Sequence, residues 1–222
     1  MSDRSDKIAV GRRWDARGVV SWALYDWANS AFATTVMAGF FPVFFKQYWS
    51  AGTDVSTSTF HLGAANSVAG LIVACAAPVL GAMADRGRAR KKFLFLCTVM
   101  GICMTAALYW VGMGNWRAAA VLYILAVTGF SAGNILYDSL IMNVAGEEKV
   151  DFVSALGYSL GYLGGGLLLA LNVVMALYPS AFHFADAAAA VRTSFLSVAV
   201  WWAVFSAPIF LFTPEHGSGR AT

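Results

Sequence analysis

Apolar residues run along this chain in six long blocks: Val19 to Phe45, His61 to Ala84, Phe93 to Gly114, Ala118 to Ala145, Phe152 to Leu177 and Thr193 to Phe212. Each block reaches the roughly 20 residues that a helix needs to cross about 30 Å of hydrocarbon at about 1.5 Å per residue. Polar clusters separate the blocks. The pattern predicts an all-α integral membrane protein with six transmembrane helices, its membrane domain at 19–212 between an amino-terminal segment at 1–18 and a tail at 213–222. The interior prolines Pro42, Pro78 and Pro208 are expected to bend helices rather than end them, because lipid penalises an unpaired backbone group more than a bend.

Composition agrees with the pattern. The 222 residues are 59% hydrophobic and 12% charged, with a mean hydropathy of +0.65, whereas a soluble domain carries about 25% charge. The position of the charges adds an orientation. Arg4, Lys7, Arg12, Arg13 and Arg17 precede span one, Arg86, Arg88, Arg90, Lys91 and Lys92 join spans two and three, Lys149 joins four and five, and Arg220 lies in the tail. Only Lys46, Arg117 and Arg192 fall on the other side. By the positive-inside rule both termini are expected in the cytoplasm, with the chain in a bacterial inner or plasma membrane. Span one starts too late and runs too long for a cleaved signal peptide.

Little in the sequence points to enzyme chemistry. Cys75, Cys97 and Cys103 lie within spans without metal-ligand spacing or a redox pair, and His61, His183 and His216 are scattered at span edges and loops. No catalytic residue, metal site, cofactor or nucleic-acid partner is expected, since the basic clusters are explained by topology.

The candidate chemistry lies inside the apolar blocks. Asp26 sits about seven residues into span one, roughly 10 Å along the helix from its cytoplasmic start, and Asp138 about seven residues before the cytoplasmic end of span four. The two carboxylates are expected in one layer. Asn29 and Ser30 share the helical face of Asp26, while Ser131, Asn134 and Tyr137 accompany Asp138. An ionisable group within a membrane is costly unless paired or hydrated, so Asp26, Asn29, Ser30, Asn134, Tyr137 and Asp138 are read as a substrate or proton site. The competing reading is a structural network in which the aspartates are neutral or bonded to Tyr25, Asn29, Asn134 or Tyr137.

Two spans carry small residues at alternating spacings of three and four. Span two presents Gly63, Ser67, Gly70, Ala74, Ala77 and Gly81, and span five presents Ser154, Gly157, Gly161 and Gly164. Small side chains let backbones approach, which suits helix association in lipid. Spans three and six instead carry Phe93, Phe95, Tyr109, Trp110, Phe195, Trp201, Trp202, Phe205, Phe210 and Phe212, and are expected at the lipid-facing periphery.

The segments YDWANSAF, FFPVFF, GAMADRGRARKKF, LYDSLIMNVA and LGYSLGYLGG together resemble the amino-terminal half of a major facilitator superfamily (MFS) transporter. Within it they are similar to the UMF1-type and autophagy-related vacuolar permeases. The resemblance implies one MFS-like half bundle built from two three-helix repeats, with first and fourth helices lining a cavity, second and fifth forming the seam between halves, and third and sixth outside. It also implies a conformational latch at the helix end G-x-x-x-D-R, here Gly81, Asp85 and Arg86 with Arg90 following; Gly87 is displaced by one residue from the usual glycine position.

The superfamily has two six-span halves that rock about an axis along the membrane normal, and this chain carries six spans. A second, identical subunit in a parallel homodimer is therefore expected, with Gly63, Ser67, Gly70, Ala74, Gly157, Gly161 and Gly164 at the interface. A heteromeric half, a fragment, or a non-transporting membrane scaffold are the alternatives. The resemblance implies a small solute such as an amino acid, moved by alternating access, and like-charged carboxylates gathered in one cavity favour amine-bearing solutes and a shared-proton state through which protons could couple. Lipids are the remaining partners.

Overall fold

A computed structural model describes residues 16–86 and 89–213, with side chains left undescribed at Ala84, Asp85, Arg86 and Glu147. Among the described residues six helices are long and apolar enough to cross a membrane: α1 (Ala16–Trp49), α2 (Val55–Arg86), α3 (Arg90–Trp110), α4 (Trp116–Ala145), α5 (Val150–Leu177) and α6 (Ala187–Phe212). They form an all-α bundle, as the hydrophobic blocks predict. Each helix begins two to six residues before its block, because polar caps rather than apolar content set the ends. Asp186 accepts the amide of Ala189 at 2.7 Å and so starts α6 six residues ahead of Thr193. Asp54 does the same for α2 through the amide of Thr57 at 2.9 Å.

The helices pack in a crossed pattern of two triplets. α1 lies mainly against α5 and α6, α4 lies against α2 and α3, and α3 meets α6 between them. The first helix of each three-helix repeat is thus seated on the other repeat's second and third helices. α1 and α4 are the most deeply buried of the six, and α2 is the most exposed.

Close approach and aromatic fill hold this arrangement together. Gly129 and Gly133 of α4 lie against Cys97 and Gly101 of α3, where a methyl at Gly129 would stand 2.6 Å from the Cys97 carbonyl oxygen. Gly101 in turn makes room for the ring of Trp202. Trp202 is 0% exposed and packs on Phe32 at 5.4 Å, and Phe195 stacks on Trp49 at 5.5 Å. The expectation of a lipid-facing aromatic surface on span six therefore fails for Phe195 and Trp202. Bulky aromatics read alike whether they face lipid or fill the space beside a glycine. Trp110 and Phe95 of α3 and Phe212 of α6 are exposed, as that expectation had them.

α3 ends in a 3₁₀ turn over Leu108–Trp110, and two helices depart from regular α geometry within their length. α1 is α-helical over Ala16–Ala31 and widens to a π-helix over Phe32–Phe40, and again over Phe45–Trp49. Pro42 lacks an N–H and its ring would crowd the carbonyl four residues back; the wider turn before it, with Phe41 N–H donating to Val36 O, relieves that conflict. Pro78 and Pro208 are carried inside continuous helices, so none of the three prolines ends its span. α4 is interrupted: it is helical over Trp116–Asp138, turns at Ser139 and Leu140, and resumes over Ile141–Val144.

Candidate functional site

The break in α4 falls at Asp138, and protein groups answer three of its loosened carbonyls, those of Leu136, Tyr137 and Ser139. Ser139 Oγ donates to Leu136 O at 2.6 Å, and Trp22 Nε1 and the Leu140 amide both donate to Tyr137 O, at 3.2 and 3.0 Å. Arg90 Nη1 reaches Ser139 O at 3.4 Å. Non-helical backbone at membrane depth is tolerated only where protein or water satisfies it, and here protein does so. Asp138 is consequently held at a defined turn rather than on a free helix end.

Beside this turn opens a cavity of about 380 Å³. α1 contributes Trp22 and Asp26, α4 contributes Asn134, Tyr137, Asp138 and Ile141, and α5 contributes Val150, Asp151, Ser154 and Tyr158. Asp26 and Asp138, placed in one layer by sequence depth, share this space. Trp22 and Tyr137 stack at 4.4 Å with planes 13° apart, and Tyr25 stacks on Tyr137 from the other side at 4.8 Å.

Asp26 owes its position to missing side chains on α5. A methyl at Gly161 would lie 3.1 Å from Asp26 Cγ and 2.6 Å from Ser30 Oγ, and one at Gly157 would lie 2.5 Å from the Trp22 ring. At Gly164 it would lie 2.6 Å from the Trp27 ring and 2.8 Å from the Trp27 carbonyl oxygen. Gly165 continues the contact, so that Thr34 Oγ1 donates to Gly165 O at 3.0 Å. The glycine face of α5 is thus filled by α1 of the same chain. This corrects the assignment of Gly157, Gly161 and Gly164 to a subunit interface: three-and-four spacing of small residues signals a close helix neighbour without naming it. The stripe on α2 behaves differently. Gly63, Ser67, Gly70 and Ala74 are all exposed, and methyls at Gly63 and Gly70 would meet nothing within 4 Å.

The polar residues around the aspartates bond mostly to one another. Asn29 Nδ2 donates to Asn134 Oδ1 at 2.6 Å, and Tyr25 and Thr98 share a hydroxyl bond at 2.9 Å. Asp26 receives only a long bond from Ser30 Oγ, 3.4 Å. Tyr137 is 3% exposed and its hydroxyl has no partner. Of the donors that a structural network would direct at the carboxylates, those of Tyr25 and Asn29 are used elsewhere.

Of the latch residues, Gly81 stands in open space and Arg90 meets the break in α4. Asp85 and Arg86 close α2, but their side chains lie outside the described residues, as does the turn at Gly87 and Arg88. No group of three or more His, Cys, Asp or Glu able to hold a metal ion occurs among the described residues. Sequence reasoning did not single out Trp22, Asp151 or Tyr158. Asp151, Ser154 and Tyr158 fall three and seven residues apart, on one helical face, and that spacing was the available signal.

Comparison with known proteins follows the same direction. The family described as "Vacuole effluxer Atg22 like" matches residues 50–222. The uncharacterised MFS-type transporter YxiO of Bacillus subtilis (strain 168) is 33% identical over 191 residues, 85% of this chain and 45% of that protein. An uncharacterised protein of Aquifex aeolicus (strain VF5) is 30% identical over 153 residues, 68% of this chain and 36% of that protein. The chain spans less than half the length of these relatives. No solved structure matches it. A six-helix membrane bundle, a family match over most of the length and an MFS-type relative lead to one conclusion: this chain belongs to the Atg22-like vacuole effluxer family of MFS-type transporters.

Proposed function

We propose that the chain acts as one half of a secondary carrier that moves a small solute, an amino acid or other amine, by alternating access, and that the second half is an identical subunit in a parallel dimer. The observation that carries the reading is the shared cavity. Asp26 and Asp138 line one space on the two most buried helices, while the neighbouring asparagines and Tyr25 are bonded to other groups. A carboxylate kept within a membrane with no more than one long donor bond is a functional group by default. Protons exchanged on these groups would couple the carrier to a pH gradient.

The exposed stripe of α2 supports the dimer. Gly63, Ser67, Gly70 and Ala74 leave its backbone open to close approach, and the open face of α5 that holds Tyr162 and Gly166 is the complementary surface. The chain sits in a bacterial plasma membrane with both termini cytoplasmic, and the latch of Asp85, Arg86 and Arg90 steadies one transport state. A heteromeric partner is the second reading, since the relatives are more than twice as long as the matched stretch.

The deciding experiment is solute flux across vesicles over a pH series, normalised to inserted dimer, for wild type, Asp26→Asn, Asp138→Asn and the double variant. Asn keeps volume and hydrogen bonding but neither the charge nor the exchangeable proton. Asp26→Asn is expected to fold normally and to lose flux or its pH response. Unchanged flux and pH response in Asp26→Asn reject a charge-dependent role. A chain that stays monomeric in lipid nanodiscs rejects the dimer.

A further inference from the structure

At the end of the bundle where α1 stops and α6 begins, an arginine stands without a hydrogen-bonding partner. Arg192 lies in the second turn of α6, and its guanidinium carbon is 6.0 Å from the ring of Tyr48 on α1 and 5.8 Å from that of Tyr109 on α3. No hydrogen bond or ion pair holds it among the described residues. Its Nε is enclosed, whereas its two Nη groups are not, and the hydroxyls of Tyr48 and Tyr109 are open and unbonded in the same way. The turns at this end, 50–54, 111–115 and 178–186, are described throughout. Their acids, Asp54 and Asp186, are both engaged as helix caps through the amides of Thr57 and Ala189.

Beside the arginine an apolar groove of about 390 Å³ runs between α1 and α6. Phe40, Val43, Phe44 and Tyr48 line it from α1 and Ala188 and Val191 from α6, and it shares no lining residue with the aspartate cavity. Tyr48 belongs to both features: it lines the groove, stacks on Phe44 at 4.5 Å, and carries the Arg192 guanidinium over its ring. From Tyr48 at the helix end to Phe40 the groove descends roughly 10 Å, into the level of the hydrocarbon. Arg192 reaches back from within α6 to the end of α1, as a long basic side chain does to bring its charge to the interface. A cation at the helix ends beside an apolar channel leading inward matches the layout of a phospholipid, with phosphate at the interface and acyl chain beneath.

We propose that this groove seats one anionic glycerophospholipid, its phosphate held by Arg192 with the Tyr48 and Tyr109 hydroxyls and its acyl chain lying between α1 and α6. A cation at the membrane is costly unless paired or hydrated, and guanidinium–phosphate bonds are charge-assisted and can be bidentate. The charge at this end selects the headgroup. Lys46, Arg117 and Arg192 are its basic residues, and with both acids engaged as caps nothing is left to receive the ammonium of a zwitterionic lipid. A lipid in this seat ties the widened end of α1 to the start of α6, and it is independent of any solute in the aspartate cavity.

Photoactivatable lipids test this on the full chain. Phosphatidylglycerol and phosphatidylcholine bearing the same diazirine-labelled acyl chain are each added at trace level to phosphatidylcholine nanodiscs, irradiated, and their adducts mapped by peptide. Phosphatidylglycerol is expected to label 40–48 and 187–191 about fivefold more than phosphatidylcholine, the attraction of one basic residue for an anionic lipid. Arg192→Gln should bring that ratio to about one, while labelling around Lys91 and Lys92, at the other end of the bundle, stays unchanged. Ala188→Leu fills the groove without touching the charge and should lower labelling of 40–48 by both lipids, so the outcome does not hang on the folding of Arg192→Gln. Equal labelling of the groove by the two lipids in wild type is the mark of ordinary annular lipid and overturns the proposal. A phosphatidylglycerol preference that survives Arg192→Gln overturns it too, as does undiminished labelling in Ala188→Leu.

Discussion

Adding one methyl at a time to the glycine face of α5 tests whether that face is internal. At Gly164 the new carbon would stand 2.6 Å from the Trp27 ring and 2.8 Å from the Trp27 carbonyl oxygen, where comfortable separations are about 3.5–4.0 Å. A backbone carbonyl in a helix cannot rotate away, so α1 and α5 must part. Overpacking of this kind costs about 1–3 kcal/mol, offset by up to about 1 kcal/mol of helix propensity gained when glycine becomes alanine. Gly164→Ala should therefore lose up to about 2 kcal/mol. Gly166→Ala, which meets nothing within 4 Å, should keep the propensity gain and be neutral or more stable.

Gly161→Ala is the informative intermediate. Its methyl would crowd Ser30 Oγ and the Asp26 carboxyl, both ends of side chains that can turn aside. Stability should change little, but Asp26 would be displaced within the cavity and flux should fall. The assay pairs the fraction folded after graded heating in nanodiscs with vesicle flux and with particle mass. If Gly164→Ala were as stable as Gly166→Ala and lowered the dimer fraction instead, this face would belong to a subunit interface and the intrachain argument would be refuted.

Other outcomes follow from single contacts. Asn29→Ala leaves Asn134 Oδ1 without the donor now 2.6 Å away, and should cost about 1–3 kcal/mol, read as a lower heating midpoint. Asp54 lies outside the membrane, where hydrogen bonds from the Thr57 side chain and amide hold its carboxyl below the usual range. A depressed carboxyl stabilises the start of α2 above its unfolded pKa and loses that contribution as pH falls through the folded value. Protection of the Thr57 and Ser58 amides, taken relative to their intrinsic exchange rate at each pH, should fall on acidification below about pH 4; Asp54→Asn should abolish that pH dependence, and a variant retaining it would place the cause elsewhere.

The bundle was legible because lipid demands long uninterrupted apolar runs, and six such runs are hard to misread. What the runs did not reveal was their mutual packing. Gly157, Gly161 and Gly164 announced a close neighbour, but the same stripe serves a helix of its own chain or of another, and only the crossed arrangement of α1 on α5 decides it. Phe195 and Trp202 carried the same ambiguity, resolved for Trp202 by the absence of a side chain at Gly101 on another helix. The π-turns of α1 and the break at Asp138 were hidden for a different reason. Neither changes hydropathy, and only Pro42 hinted at the first.

The site divides along the same physical line. Asp26 and Asp138 stood out because a carboxylate is expensive inside an apolar block. Asp151 did not, because an acid in the first turn of a helix is ordinarily accounted for by the helix dipole, and Tyr158 because tyrosine near a membrane interface is common. Their partnership with Asp26 arises only when Gly157 and Gly161 let α1 sink against α5, which brings the start of α5 alongside the break in α4. The glycines that appeared to serve assembly thus seat α1 against α5 beside the cavity. A side chain restored at Gly161 acts on the position of a carboxylate before it acts on the stability of the bundle, whereas one restored at Gly164 meets the backbone of α1 and acts on stability first.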